Sequence, residues 1–155
     1  MKQNLYAFLA LSLLISFSAF GAESAAVSAT ATPVGFWKTI DDSTHEPRAI
    51  VEIKEVDGKL FGSIIKTFPK EGDKTECVEC SGDKKNKPII GLEIIWDLKK
   101  DGDEWNGGQI LDPKNGKTYK AKISLQDNGE KLKVRGFIGF SLLGRTQTWL
   151  KSSAP

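Results

Sequence analysis

The sharpest spacing in the sequence is Cys77-Val78-Glu79-Cys80. Two thiols so placed can hold a metal, cycle as a redox pair or close a disulfide. A zinc site needs four ligands, but the chain has only these two cysteines and one histidine, His45. Metal binding would therefore need a half-site shared between two copies, and no metal is expected. A redox pair belongs at a helix N-terminus beside a parallel strand, whereas "KEGDKTECVECSGDKKNKP" reads as a long polar loop. In an oxidising compartment the default is a structural disulfide. Closing so short a loop contributes only about 2 kcal/mol, so a Cys77–Cys80 bond would stiffen a loop more than it holds a fold.

Other candidate chemistries are weaker. Asp42, Ser43 and His45 supply the residue types of a catalytic triad, but neighbours in sequence rarely reach the geometry, and an exposed loop histidine is expected. "LDPKNGKTY" brings Asp112, Asn115 and Gly116 together. It lacks the ligand repeat of a calcium loop and the glycine-lysine pattern of a phosphate loop. Asp-Pro followed by Asn-Gly is turn chemistry. No carboxylate pair stands in an apolar setting that would tune an acid–base couple. The sequence offers no catalytic residues and implies no cofactor.

The elements that would position such residues begin after a distinct leader. Lys2 precedes an uncharged apolar run, Leu5 to Phe20. As a helix it would span roughly 24 Å, short of a ~30 Å hydrocarbon core. Small residues follow, with Ala19-Phe20-Gly21 and Ser24-Ala25-Ala26 both fitting a signal-peptidase site. Residues 1–21 are expected to be a cleaved signal peptide, 22–33 a flexible tether, 34–151 one domain and 152–155 a tail. Such a chain is periplasmic or secreted, without stable membrane insertion after cleavage. The whole chain carries 22 basic and 20 acidic residues, largely interleaved. That balance gives no footprint for nucleic acid.

From Arg48 onward alternation with period two dominates. Ala49, Val51 and Ile53 alternate with Glu52 and Lys54, and Leu92, Ile94, Trp96 and Leu98 alternate with Glu93 and Asp97. Tyr119, Ala121, Ile123 and Leu125 stand opposite Lys120, Lys122 and Ser124, and Leu132 and Val134 opposite Lys131, Lys133 and Arg135. Asp57-Gly58 and Asp127-Asn128-Gly129 mark tight turns, and Gly107-Gly108 marks a bulge. The pattern predicts an all-β fold: about eight strands in a single antiparallel up-and-down barrel, which closes its own edges. A two-sheet sandwich is the competitor.

The expected interior contains Ile53, Ile64, Ile94, Trp96, Tyr119 and Ile123, completed by Val134 and Trp149. Arg135, Arg145 and Gln147 would be polar anchors for a ligand. Packed side chains and a ligand cavity are both compatible with eight strands. A closed barrel must also join its first strand to its last. Gly35-Phe36-Trp37 near the start and Arg145 near the end resemble the lipocalin (calycin) signature, which implies an arginine packed on the tryptophan at the seam, a role that Arg135 could also fill. More widely, the succession "GFWKT", "DGKLFGSI", "CVECSGDKKNKPIIGLEIIW", "WNGGQILDPKNGKTYKAKI", "LKVRGFIG" and "LLGRTQTW" resembles a family of small exported bacterial proteins, domain of unknown function 2147. The resemblance implies a lipocalin-like barrel and carries no reaction. The expected function is binding of a small apolar or amphipathic ligand inside the barrel. The alternative is an envelope scaffold with a packed barrel and no ligand, whose loops bind another protein.

Overall fold

The computed structural model describes residues 31–155. The expected signal peptide, and the tether up to residue 30, lie outside the described residues. Eight strands follow one another: β1 (Gly35–Ile40), β2 (Pro47–Val56), β3 (Lys59–Thr67), β4 (Glu93–Asp101), β5 (Glu104–Asp112), β6 (Lys117–Gln126), β7 (Lys131–Phe137) and β8 (Gly144–Ser152). Each pairs antiparallel with its sequence neighbours, and β8 returns to β1, closing a barrel. The sandwich is thereby excluded.

The two ends of the barrel are built differently. At the hairpin end the strands turn through Asp57-Gly58, Gly102-Asp103 and Asp127–Glu130. Asp57 and Gly58 have φ of 51° and 73°, the paired left-handed conformation that matches the twist of a two-residue hairpin. At the loop end lie residues 41–46, 68–92, 113–116 and 138–143, the second containing a 3₁₀ turn at Gly82–Lys84.

Alternation supplies the core. Trp37, Ile53, Leu60, Leu98, Trp105, Ile123, Leu132 and Trp149 are buried toward the hairpin end. The chain before β1 helps to seal that end: Pro33 is buried, and the Trp37 indole donates to its carbonyl at 2.7 Å. The fixed part of the chain thus includes the last residue assigned to the tether, and at the other terminus Ser152 still pairs with Phe36. At mid-height Gly62 lets Val51 and Ile95 close over it; a Cβ there would stand 3.1 Å from the Cβ of Ile95. The 68–92 loop also joins the core. Cys77 and Cys80 are both buried in the main hydrophobic cluster, so this segment is polar only on its outer side.

Candidate functional site

The predicted interior residues separate into three groups. Ile53, Ile64, Ile94, Ile123, Val134 and Trp149 are buried. Tyr119 and Gln147 are half-buried at the loop end. Trp96, half-buried and packed against the core cluster, and Arg135, half-buried on β7, do not line the inner face. The β3–β4 pairing slips between Leu60 and Gly62, and Asp97 takes a φ of 61°. This irregularity puts Leu98 on the same side as Ile95 and turns Trp96 away, because a one-residue slip reverses the facing of a strand. Trp96 instead lies under Lys84, whose ammonium is 4.6 Å from the ring centroid and donates to the Glu93 carbonyl at 2.6 Å. Arg135 follows the buried Val134 and therefore points outward. Its Nε donates to Ser141 O at 2.6 Å and its Nη2 to Leu142 O at 3.1 Å, while Nη1 meets Thr146 Oγ1 at 2.7 Å.

The seam also differs from expectation. β1 and β8 pair only through Phe36–Ser152, Trp37–Lys151 and Lys38–Leu150, whereas β7 and β8 share seven register pairs. Trp37 faces Lys151, and Arg145 lies six residues farther up β8, too far to stack on the indole. Arg145 instead forms an ion pair with Asp42. Gln147 Nε2 lies 3.2 Å from Asp42 Oδ1 and 3.5 Å from Ile40 O, and its Oε1 accepts from Trp149 Nε1 at 3.3 Å. Side chains thus clasp the upper part of the seam where backbone pairing has ended. Asp42, the acid of the sequence-level triad, is thus engaged with Arg145 and Gln147.

Inward positions change character along the axis. Toward the hairpin end they carry tryptophan and leucine. Toward the loop end they are Thr39, Ala49, Ile110, Tyr119, Gly136, Arg145 and Gln147. Ile110 and Tyr119 approach over Gly136, with a Cβ at that glycine falling 3.3 Å from Ile110 Cγ2 and 3.5 Å from Tyr119 Cβ. The Tyr119 hydroxyl meets Asn115 Nδ2 at 3.2 Å. These inner-face side chains, polar on β8 and apolar on β5 and β6, are the candidate site. Among the described residues no three His, Cys, Asp or Glu side chains come together as a metal cluster. No described helix is long and apolar enough to cross a membrane.

The neighbouring loops have internal bonding. Cys77 and Cys80 form a disulfide, and Cys77 Sγ lies 3.6 Å from Pro113 O. The 113–116 turn is held by Asp112, which accepts from Lys114 N at 2.9 Å and Asn115 Nδ2 at 3.1 Å. Gly116, at φ 68°, lets this turn meet the disulfide loop, since a Cβ there would collide with the Glu79 carbonyl. The 68–92 loop is tied to the start of β2 and the loop before it, where Arg48 pairs with Asp73 at 3.0 Å and Lys70 with Glu46 at 2.6 Å. The Arg48 hydrogen bond, helped by the Lys70 backbone N–H, holds the Asp73 carboxyl below its ordinary pKa. The backbone N–H groups of Thr44 and Ser43 do the same for Asp41.

Sequence reasoning missed two features here. One is the Asp42–Arg145–Gln147 clasp, whose ion pair spans 103 residues of sequence and leaves no local signal. The other is the exposed apolar segment between β7 and β8, for which "FIGFSLLG" is a signal: an apolar run without alternation at a turn.

A closed eight-stranded antiparallel barrel with one sealed end and one looped end defines a lipocalin-like protein. Residues 35–151 match the bacterial family described as "Uncharacterized protein conserved in bacteria (DUF2147)", and the chain belongs to that family. Among solved structures it is similar to protein HP1028 of Helicobacter pylori, described as belonging to the lipocalin family. The TM-score is 0.68 at 23% identity, over 80% of this chain and 85% of that one. At that identity the likeness speaks for the fold. No curated protein matches the chain.

Proposed function

We propose that this protein is exported and binds a small apolar or amphipathic molecule at the loop end of its barrel. The observation that carries this reading is the change of inner-face side chains along the axis, from buried indoles and leucines to half-buried Ile110, Tyr119 and Gln147. An apolar chain or ring would lie against Ile110 and Tyr119. A polar head would meet Gln147 and Arg145, in keeping with sites that are mostly apolar with a few placed polar groups. The lipocalin description of HP1028 and the buried Cys77–Cys80 disulfide, which suits an oxidising compartment, support the reading.

The test is native mass spectrometry of protein recovered from the envelope fraction and medium of an expressing bacterium, followed by titration with a fluorescent long-chain fatty acid. A bound small molecule is expected, and Gln147→Ala should weaken probe binding by up to about tenfold, the equivalent of one hydrogen bond. A second reading, the scaffold with a packed barrel, is favoured by the filled space around Gly62. Absence of any bound molecule together with no saturable probe binding would select it.

A further inference from the structure

The six residues between β7 and β8 contain Ile138, Phe140, Leu142 and Leu143, which are 65%, 80%, 89% and 72% exposed. Scattered apolar side chains are ordinary on a protein surface, but a contiguous bare cluster marks a contact site. This loop has a built shape. Ile138 N bonds to Leu143 O at 3.2 Å and Leu143 N to Phe140 O at 3.0 Å, while Arg135 takes the carbonyls of Ser141 and Leu142. Because Arg135 is on the outer face of β7, the loop folds outward instead of across the barrel mouth, so its apolar side chains do not serve as a lid. The bonds also give several loop carbonyls a partner inside the protein, a condition for entering a phase poor in water.

The charge around the loop selects the partner. On the adjacent strand and its turn, Lys114, Lys117 and Lys120 are exposed, and Lys120 is the register partner of Phe137 at the root of the loop. None of the three takes part in an ion pair among the described residues. Of the nearby acids, Asp42 is engaged by Arg145 and Gln147 and Asp112 within its own turn, which leaves exposed Glu79, where the disulfide loop meets the 113–116 turn, as one acid against three lysines. Four side chains on one six-residue loop fall short of the ~800 Å² per partner of a stable protein–protein interface. Insertion into a bilayer needs only a few apolar side chains backed by cations. We propose that the β7–β8 loop docks this protein on the surface of an anionic lipid bilayer, with Phe140 and Leu142 entering the headgroup region and Lys114, Lys117 and Lys120 meeting the lipid phosphates. This surface is separate from the ligand reading and does not depend on it.

The native thiols are joined in a disulfide, so a single added cysteine can carry an environment-sensitive dye. The full chain is labelled at Leu142→Cys, or at Asp103→Cys in a hairpin-end turn, and mixed with vesicles of phosphatidylglycerol and phosphatidylcholine or of phosphatidylcholine alone. A blue shift at position 142 and none at 103, stronger with anionic vesicles and reduced by salt, is expected. Phe140→Ser, introduced into the Leu142→Cys protein, should shift the vesicle concentration for half-response by about tenfold, the equivalent of one large apolar side chain. Vesicle-bound protein without a shift at 142 would overturn the proposal, as would equal shifts at both sites or no response to vesicles. Equal response to neutral vesicles would overturn the role of the lysines. A shift that grows with protein concentration in the absence of lipid would assign the loop to a second copy of the chain and overturn the bilayer.

Discussion

The hairpin end and the loop end of this barrel use the same eight strands for opposite purposes. At the hairpin end the turns are tight, the inner positions are Trp37, Leu60, Leu98, Trp105, Leu132 and Trp149, and Pro33 covers the first indole. At the loop end backbone pairing across the seam has stopped, inner positions are small or half-open, and order comes from side-chain bonds such as Arg145–Asp42 and Arg48–Asp73. Burial of large apolar groups stabilises without demanding any one partner. Surface ion pairs stabilise little and fix geometry instead. The molecule therefore keeps its stability at one end and its adaptable surface at the other.

The largest expected effect follows from that division. Trp37→Ala empties a core site and leaves the Pro33 carbonyl without its donor, and should cost about 3–5 kcal/mol in denaturant unfolding. A loss below about 1 kcal/mol would mean that the hairpin end does not hold the fold.

The disulfide loop should lie between the extremes. Replacing Cys77 and Cys80 together by alanine removes about 2 kcal/mol of loop closure, to which their burial in the core adds a small packing loss. The measurement is thermal unfolding with and without reductant: the wild type should lose stability on reduction, and the double variant should not respond.

At the loop end Arg145→Ala should cost less than about 1 kcal/mol, because the guanidinium is 61% exposed and its ion pair is screened. Combined with Trp37→Ala the losses should add, since Trp37 faces Lys151 and the two sites share no partner. A coupling energy above about 1 kcal/mol would break the comparison by tying the two ends together.

The smallest effect is in acid. Asp73, Asp41 and Glu46 titrate below their ordinary values in the fold. Their contribution is present above the unfolded carboxyl range near 4 and is lost as pH falls through the lower folded values. Carboxyl resonances followed by NMR should show Asp73 titrating below that range, and Arg48→Ala should move it upward by removing the hydrogen bond that depresses it most. An unchanged midpoint would show that β2 and the 68–92 loop are not joined through this pair.

Much of this was legible in the residues. The alternation in β2, β6 and β7 placed Ile53, Ile123 and Val134 inside, and Asp57-Gly58 marked its hairpin, because side-chain facing and turn conformation are local properties. Trp96 defeated the same logic: an irregularity at Asp97 depends on how β4 fits β3 and β5, and no local pattern announces it. Arg135 alternated correctly with Val134 and so belonged outside. Its assignment as an inner anchor followed from its charge and contradicted its position.

The sequence by itself determined the strands, their order, the turns and the pairing of two cysteines into one short loop, since each depends on residues close together in the chain. Only the tertiary structure decided which tryptophans seal the barrel, that Arg145 serves Asp42 and not Trp37, and that Cys77 and Cys80 are buried. It alone showed the β7–β8 loop folded outward with its apolar side chains bare. Those outcomes rest on contacts between distant segments, whose geometry is set by strand register and by competition for burial, and neither is encoded in a local stretch.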